Sequence, residues 1–248
     1  LTGDAVTVTG GAAGTNAGTY TSSYALTGSS AANYTIVANA PILTINKANL
    51  SIASNNLGKF VTQADSTLSY STLGLQGSDT INSIGLAVAV SRAPGEAVGV
   101  YAVTPSGLTS TQNYTVSYSP GTLTIAPADT LLITMNNATT TYGTAAALAG
   151  SNGGVATVQY LTGTAGNTVL HTLTTTDQIT WTDSAGGWVT ITPTTTGVTL
   201  QSHVGTYVGA VTNTNSGTTY NQNFSSVQTV AGNLAITPAT LTVTGNTS

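Results

Sequence analysis

The amino-acid sequence predicts an all-β protein built from tandem modules, and three observations support this fold class. Thr occupies 52 of the 248 positions, and β-branched residues favour pleated strands. The segment NYTVSYS at 113–119 alternates apolar and polar side chains, as a half-buried strand does. Similar segments return in the same order along the chain, which is typical of repeat proteins. We therefore expect small sandwich-like modules arranged as an elongated rod.

Three short landmarks mark each repeat. The first two copies keep a spacing of 80 or 81 residues, whereas the third follows after 106 to 111 residues. The third copy therefore carries an insertion, which we place near residues 150–200. The landmarks are GTY at 18–20, GVY at 99–101 and GTY at 205–207; NY at 33, NY at 113 and NF at 223; and LTINKA from 43, LTIAPA from 123 and LAITPA from 234.

These landmarks divide the chain into three repeats, each predicted to be a separate β module. The first repeat, residues 1–48, holds the C-terminal part of a module, and the second repeat, residues 49–128, is a complete module. The third repeat, residues 129–239, is an expanded module that contains the insertion. Residues 240–248 are predicted to be the first strand of a following module, because TLTVT from 240 matches NLSIA from 49 and TLLIT from 130.

The closing segment of the second repeat, residues 113–128, predicts a terminal β-hairpin. Pro120 and Gly121 suit the two central positions of a type II turn, and the strand alternation resumes after them. The connections between repeats are short, and Pro127 and Pro238 lie in two of them, so we expect a restricted hinge between neighbours. The predicted arrangement is a single file of modules, each with its own core and no shared interior.

Charged residues are scarce, and this scarcity excludes some classes of partner. They make up 4% of the chain, against roughly a quarter of an ordinary soluble domain. The basic residues are Lys47, Lys59 and Arg92, and the formal net charge is -4. Because nucleic-acid binding needs clustered Lys and Arg, we expect no nucleic-acid partner. No run approaches the roughly 18 apolar residues of a membrane-spanning helix, so we expect no membrane insertion.

Three segments of the second repeat resemble a known family. They are LSIASNNLGKF from 50, SRAPGEAVGVYAV from 91 and NYTVSYSPGTLTIAPA from 113. Together they resemble the MBG (mostly beta-grasp) repeats that occur in tandem in large bacterial surface adhesins of the filamentous haemagglutinin type. TTYG at 140–143 extends the likeness to the third repeat, which lacks the Arg-x-x-Gly-Glu element. The resemblance implies beta-grasp-like modules in an extracellular stalk or spacer, and it carries over no catalytic residue.

Arg92 and Glu96 flank a Pro-Gly corner in SRAPGEAVGVY. Their spacing allows a bidentate ion pair across the turn. In a chain with so few charges, we interpret this pair as a structural pin that holds the loop, with capture of a ligand as the alternative.

The candidates for a metal or catalytic site all fall in the third repeat: His171, His203, Asp177 and Asp183. Neither histidine has the HxH or HxxxH spacing of paired metal ligands, and the carboxylates are isolated. A glycosidase would need two carboxylates whose surroundings adjust their pKa values, and the nearby sequence offers few ionisable groups. We therefore predict no catalytic, metal or cofactor site and a protein that is not an enzyme.

Aromatic residues support two further predictions. Trp181 and Trp188 lie in the insertion as WTDSAGGWVTI; buried, they would fill the core of the expanded module, and exposed, they could stack on sugar rings. Burial is favoured, and the pair is the candidate glycan-binding site. Five tyrosines at matched repeat positions indicate module cores, and each hydroxyl should find a backbone partner. These are Tyr20, Tyr34, Tyr101, Tyr114 and Tyr207.

The sequence as a whole predicts a non-enzymatic spacer in a secreted or surface-attached bacterial adhesin or extracellular filament. Such a protein would support cell–cell or cell–matrix adhesion and biofilm formation, and its expected location is extracellular. The expected partners are an extracellular polysaccharide or neighbouring copies of the same chain. The alternative is a carbohydrate-binding module in the third repeat that uses Trp181 and Trp188 against a matrix polysaccharide.

Overall fold

Strands make up most of the protein. The computed structural model describes residues 5–39, 41–148, 155–164, 167–175, 180–182, 188–214 and 224–242. Within these ranges the chain forms 21 strands, and the helical element described is a three-residue 3-10 helix at Ala31–Asn33. The predicted all-β fold class is confirmed.

The four strands of the first repeat pair as two antiparallel ladders. Their bounds are β1 Thr7–Gly11, β2 Gly18–Thr21, β3 Ser23–Thr27 and β4 Ile42–Ile45. β1 pairs with β3, and β2 pairs with β4. The Gly-Thr-Tyr landmark therefore lies on β2, directly beside the Leu-Thr-Ile landmark on β4.

The second repeat forms two sheets. Its strands are β5 Ala48–Ser54, β6 Leu57–Phe60, β7 Tyr70–Leu73, β8 Ala89–Arg92, β9 Gly99–Ser106, β10 Tyr114–Ser119 and β11 Gly121–Ala126. One sheet has the order β10-β5-β7 and the other has the order β6-β11-β9-β8. In the second of these sheets β11 runs parallel to β6 and antiparallel to β9.

The third repeat has the same plan with additions. Its strands are β12 Thr130–Met135, β13 Ala138–Thr141, β14 Ala156–Thr164, β15 Asn167–Thr175, β16 Thr180–Thr182, β17 Trp188–Thr190, β18 Pro193–Thr195, β19 Gly205–Asn213, β20 Ser226–Val230 and β21 Gly232–Thr237. The sheets are β15-β14-β12-β20 and β13-β21-β19-β18, and β16 pairs with β17.

The strand orders of the second and third repeats correspond one to one. In both, the first strand lies beside the strand that follows the Asn-Tyr or Asn-Phe landmark, and the second strand lies parallel to the closing strand. The third repeat adds β15 and the pair β16–β17, which lie within residues 150–200. The repeated sequence therefore corresponds to a repeated two-sheet topology, whereas the boundaries of independent modules stay a prediction.

The predicted hairpin at 113–128 is wrong. β10 and β11 flank Pro120 but belong to different sheets, so the chain passes from one sheet to the other at this residue. Gly121 lacks the positive φ that the third position of a type II turn requires. The reason is tertiary: β11 takes β6 and β9 as its neighbours, and neither is adjacent to it in sequence.

Apolar residues at alternating strand positions build the cores. In the second repeat the buried residues Val103, Leu123 and Ile125 form one cluster, with Leu57, Leu68, Val90 and Tyr101 packed against it. In the third repeat residues of both sheets meet, since Leu131 and Ile133 of β12 share a cluster with Leu234 and Ile236 of β21. The two four-stranded sheets of the third repeat thus share one buried core, as the sheets of a sandwich do.

By the density of residue contacts, the chain divides into two compact units. One consists of Leu1–Leu50, Leu75–Leu86 and Leu108–Val116, and the other of Ser51–Gly74, Ala87–Gly107 and Ser117–Ser248. The second repeat contributes segments to both units. In the described part of the chain, no helix has the length and apolar character needed to cross a membrane.

Candidate functional site

The contacts between repeats are the candidate functional site, and one junction begins with matched turns. An Asn-Asn dipeptide forms the turn after β5 and again the turn after β12. Asn56 Oδ1 accepts the N–H of Thr122 at 2.8 Å, and Asn137 Oδ1 accepts the N–H of Asn233 at 2.7 Å. The two acceptors therefore hold the start of the closing strand, β11 or β21, against the turn of their own repeat.

A glycine precedes each of these N–H donors, and close approach explains it. A Cβ atom on Gly121 would lie 2.7 Å from the carbonyl oxygen of Ser54, and one on Gly232 would lie 2.4 Å from that of Asn136. Both contacts are with backbone atoms, which cannot rotate away. Glycine is therefore needed where the closing strand begins in both repeats.

The same turns also join the second repeat to the third, and we name these contacts the second junction. Three side-chain amide groups donate hydrogen bonds across it. The bonds are Asn56 Nδ2 to Ala231 O at 2.7 Å, Asn137 Nδ2 to Asn55 Oδ1 at 2.8 Å and Asn233 Nδ2 to Ser54 O at 3.1 Å. Each amide thus binds its own repeat through oxygen and the neighbouring repeat through nitrogen.

The second junction also has an apolar part. Phe60 and Ala126 of the second repeat form a buried cluster with Leu132 and Val230 of the third, and Leu161 packs against it. This cluster is separate from the cores inside the two repeats. The prediction that neighbours share no interior is wrong for this pair, because residues of β6 and β11 pack against residues of β12 and β20.

Gly58 on β6 lies against Leu132 and Val230 of the third repeat, and its lack of a side chain lets the two repeats approach closely. A Cβ atom there would lie 3.0 Å from Val230 Cγ2 and 3.1 Å from Leu132 Cδ2. These distances are shorter than ordinary van der Waals contacts. The small residue on β6 therefore sets how closely β12 and β20 pack against it.

We name the contacts between the first and second repeats the first junction. These contacts depend on Asn113, the Asn of the NY landmark in the second repeat. Asn113 Oδ1 accepts the N–H of Ala17 at 2.8 Å, and Asn113 Nδ2 donates to Asn16 Oδ1 at 3.0 Å. Gln112 Nε2 donates to Ala17 O at 3.2 Å. This landmark Asn of the second repeat thus binds the neighbouring repeat through both atoms of its side-chain amide.

Lys47 also lies at the first junction. Its Nζ donates to Ser110 Oγ and to the carbonyl oxygen of Thr111, both at 2.6 Å. Lys47 belongs to the last residues of the first repeat and its acceptors belong to the second. One of the three basic residues of the chain therefore serves the connection between repeats.

The other two basic residues lie together in the second repeat. Lys59 Nζ is 2.6 Å from Asp65 Oδ1 and 2.5 Å from Glu96 Oε2. Arg92 Nε is 2.5 Å from Asp65 Oδ2, and Arg92 Nη2 contacts Glu96 Oε1. Arg92 Nη1 also donates to the carbonyl oxygen of Gly95 at 2.7 Å. The Arg92–Glu96 contact across the Pro-Gly corner is thus half of a four-residue cluster, which we name the charge cluster.

Hydrogen bonding within the charge cluster favours the charged form of every member. The hydrogen bond from Lys59 is the main cause that lowers the pKa of Asp65 and of Glu96, and Arg92 adds to it. The bond to Asp65, followed by that to Glu96, raises the pKa of Lys59 against the opposing effect of burial. Lys59 is only 4% exposed, so its charge depends on these two carboxylates.

The landmark tyrosines make one recurring hydrogen bond. Tyr20, Tyr101 and Tyr207 each donate from the hydroxyl to the carbonyl oxygen four residues earlier, at 2.8 Å in every repeat. The predicted backbone partner is confirmed for these three. The hydroxyl of the buried Tyr114 also has a backbone partner, because it accepts the N–H of Gln76 at 3.0 Å and donates to Asp79. Burial, followed by the bond to Asp79, raises the pKa of this hydroxyl.

The residues considered in the sequence as metal ligands or catalytic groups do not form a single site among the described residues. The ring of His171 stacks on Tyr160 with centroids 4.7 Å apart, and its Nε2 is 2.8 Å from Thr162 Oγ1. His203 offers its carbonyl oxygen to the Tyr207 hydroxyl. Asp177 and Asp183 lie outside the described residues. No group of three or more potential metal ligands occurs in the described part of the chain.

The candidate glycan-binding residues lie on the short pair β16–β17. Trp181 pairs with Val189, and Trp188 pairs with Thr182. The backbone of both tryptophans is thus described, and glycan binding by them stays a prediction.

The sequence did not lead us to the Asn-Asn turns, or to Lys59 and Asp65 as members of the charge cluster. A signal for the turns was present, because NN at 55–56 returns as NN at 136–137 and a Gly begins each closing strand. No comparable signal existed for Lys59 and Asp65, which only the fold brings to Arg92 and Glu96.

One comparison with known proteins bears on the second repeat. Residues 50–124 match the family model of the MBG domain (YGX type). The match covers almost all of the second repeat. The predicted resemblance is therefore confirmed for this segment, which is less than half of the chain. No curated protein and no solved structure matches the chain.

Proposed function

We propose that the chain is a non-enzymatic spacer of a secreted or cell-surface bacterial adhesin or extracellular filament. In this role the MBG repeat and its neighbours hold a binding part at a distance from the cell and so support adhesion. The second junction is the single observation that carries the proposal. It combines three amide hydrogen bonds with a buried apolar cluster.

The second junction supports a mechanical role because of how it limits motion. Domains joined by a small polar contact move relative to one another by default, and a packed apolar contact suppresses such motion. Here the apolar cluster excludes water from Leu132 and Phe60, and the amide bonds fix the register of the turns. A pulling force on one repeat would therefore be transmitted to its neighbour rather than absorbed by a hinge.

The composition supports an extracellular setting for this role. The chain offers trypsin-like proteases three cleavage positions, and two of them belong to the charge cluster, where Lys59 is buried. The scarcity of charge also leaves little repulsion between copies, which favours assembly on a surface or in a matrix. Adhesion, biofilm formation and secretion are part of the proposal.

Small-angle X-ray scattering of the full chain tests the spacer function. The proposal expects an elongated particle whose maximum dimension is unchanged between low and moderate salt. Replacing Leu132 by Asp should broaden the distance distribution, because a charge in the apolar cluster loosens the second junction. A compact globular particle for the unmodified chain would contradict the proposal.

Glycan retention tests the alternative function on the same protein. The variant Trp181→Ala/Trp188→Ala and the unmodified chain are passed over amorphous cellulose and chitin. A spacer gives equal retention of both proteins. Strong retention that the double substitution abolishes would replace the spacer function by a carbohydrate-binding one.

A further inference from the structure

The place of the charge cluster recurs in the third repeat, and the strand registers identify it. On the second strand of each repeat, Lys59 pairs with Ile125 of β11, and Thr140 pairs with Ile236 of β21. Both isoleucines belong to the Leu-x-Ile landmark of their closing strand. Thr140 therefore takes the place of Lys59.

Two further members of the charge cluster are replaced in the same way. Arg92 of β8 pairs with the residue of β9 that faces the first residue of β11. Thr195 of β18 pairs with the residue of β19 that faces the first residue of β21. Thr195 therefore replaces Arg92. Ala146 replaces Asp65, because it follows β13 at the same distance as Asp65 follows β6.

These smaller residues line a cavity in the third repeat. Thr140, Ala146 and Thr195 all belong to its lining, and its volume is about 240 Å³. That volume exceeds the roughly 150 Å³ of a cavity that accepts benzene and is below the roughly 300 Å³ at which pockets take drug-sized ligands. The cavity therefore has room for a single six-membered ring with its substituents.

The lining of the cavity is neutral and has an apolar and a polar part. Val198 and Leu200 contribute to the apolar part, and the hydroxyls of Thr140, Thr195 and Ser202 contribute to the polar part. No charged side chain is among the described residues that line it. A charged ligand would find no counter-charge there, and a hydrocarbon would leave the hydroxyls without partners. The lining therefore suits a neutral ligand with both apolar and hydroxyl-bearing sides.

The hydroxyls of the cavity use only part of their hydrogen-bonding capacity within the protein. Ser202 Oγ accepts the N–H of Thr199 at 2.8 Å, and Thr199 Oγ1 accepts the N–H of Gln201 at 3.3 Å. Both hydroxyls thus keep a hydrogen to donate. Thr140 Oγ1 donates to the carbonyl oxygen of Thr144 at 2.9 Å and keeps lone pairs to accept. The cavity therefore offers donors and acceptors together.

The second repeat shows that a docked neighbour leaves this place open. In the presence of the third repeat, the side chains of Asp65 and Glu96 remain 34% and 62% exposed. The apolar part of the second junction uses Phe60 and Ala126 instead. A further repeat docked on the third in the same manner would therefore leave the cavity accessible.

We propose that this cavity binds one neutral sugar ring within a polysaccharide chain. A pyranose ring has a C–H face, which would contact Val198 and Leu200, and hydroxyls at its edge, which would exchange hydrogen bonds with Thr195 and Ser202. Leu200 at the rim is 56% exposed, so a sugar chain can continue outward from the bound ring. Sugar binding at this place uses neither tryptophan and does not rest on the spacer function.

An NMR titration of the full chain tests the proposal. The methyl glycosides of glucose, galactose, mannose and N-acetylglucosamine are added in turn, because a blocked anomeric oxygen mimics a ring within a chain. We expect at least one of them to shift the methyl signals of Ala146, Val198 and Leu200 saturably at millimolar concentration. Thr195→Val removes a hydroxyl and keeps the shape of the side chain, so it should weaken this binding at least about threefold. The absence of a saturable shift with all four glycosides would overturn the proposal.

A pair of arginine substitutions supplies the matched control. Thr195→Arg introduces the residue type that the second repeat has at this place, so it should fill the cavity and abolish the shifts. Thr196 is exposed and does not line the cavity, so Thr196→Arg should bind like the unmodified chain. Far-UV circular dichroism checks that both variants are folded, and Thr195→Val decides if Thr195→Arg is not.

The tryptophan variant separates this site from the alternative function. Trp181→Ala/Trp188→Ala should bind the glycosides with unchanged affinity. Equal binding by the two arginine variants would overturn the proposal, and so would a loss of binding in the tryptophan variant alone.

Discussion

At the scale of the residue, glycine has a role that depends on its neighbours. Gly121 and Gly232 begin the closing strands and lie against turn backbone, whereas a Cβ on Gly205 would meet nothing within 4 Å. All three glycines are first residues of strands. Their sequence context is therefore similar, and only the fold distinguishes which of them is indispensable.

Replacing Gly121 by Ala should lower the free energy of unfolding by about 1–3 kcal/mol, because the new methyl group overpacks against the carbonyl of Ser54. Replacing Gly205 by Ala should change it by less than about 1 kcal/mol, since an open strand position tolerates Ala. Urea unfolding followed by far-UV circular dichroism measures both. Equal losses in the two variants would contradict the steric explanation.

The charge cluster makes a second residue-scale prediction, which concerns pH. Asp65 and Glu96 have lowered pKa values, so their stabilisation is present above the ordinary carboxyl pKa of about 4. It is lost as the pH falls through the lowered values of the folded state. Lys59 has a raised pKa, so its contribution persists until the pH rises above its ordinary value of about 10.4.

Asp65→Asn should therefore reduce the urea midpoint at neutral pH, and the gap to the unmodified protein should shrink below about pH 4. Asp129→Asn removes the same formal charge outside the cluster and serves as the control. Midpoints measured between pH 2 and pH 8 give the comparison. A gap of constant size across this range would show that Asp65 acts by packing rather than by charge.

At the scale of the element, one turn serves both its own repeat and the next. The Oδ1 atom of Asn56 holds β11, and its Nδ2 atom binds Ala231 of the third repeat. Asn137 divides its two amide atoms in the same manner between Asn233 and Asn55. The turn after the first strand thus couples closure of the sandwich to docking of its neighbour.

Two substitutions of Asn56 separate these roles. Asn56→Ala leaves the Thr122 N–H without its acceptor and should cost about 1–3 kcal/mol. Asn56→Asp retains the acceptor oxygen but loses the donor to Ala231, so it should lose less stability than Asn56→Ala. Urea midpoints at neutral pH rank the two variants. The opposite ranking would contradict this role of the acceptor oxygen, because both variants lose the donor to Ala231 and only Asn56→Asp keeps the acceptor.

The strand assignments show what could be predicted at this scale. The alternation in residues 113–119 correctly indicated β10, and the same reasoning indicated β11. Their pairing with each other was wrong, because local alternation specifies a strand but not its neighbours. Pro120 predicted a turn, whereas in the structure the chain crosses from one sheet to the other at this residue.

At the scale of the whole molecule, the second and third repeats are linked through a shared apolar cluster. Phe60 and Leu132 come from different repeats and are both almost fully buried in it. Groups in direct contact lose stability non-additively when both are truncated. The repeats should therefore unfold together rather than one after the other.

A double-mutant cycle measures this linkage. Phe60→Ala and Leu132→Ala should each cost about 2–5 kcal/mol, and the pair should show a coupling of about 0.5–3 kcal/mol. Leu123→Ala, inside the second-repeat core, combined with Leu132→Ala should be nearly additive. Calorimetry that resolves separate transitions for the two repeats in the unmodified chain would contradict the linkage.

The sequence by itself determined the all-β class, the repeat, the MBG resemblance and the recurrent tyrosines, because strand alternation and repeated landmarks are local patterns. The tertiary structure alone decided the sheet change at Pro120, the four members of the charge cluster and the second junction. Those features depend on partners far apart in the chain, such as Asn233 and Ser54, which are 179 residues apart. Local side-chain preferences carry no information about which distant backbone groups will meet, so only the packed fold could specify them.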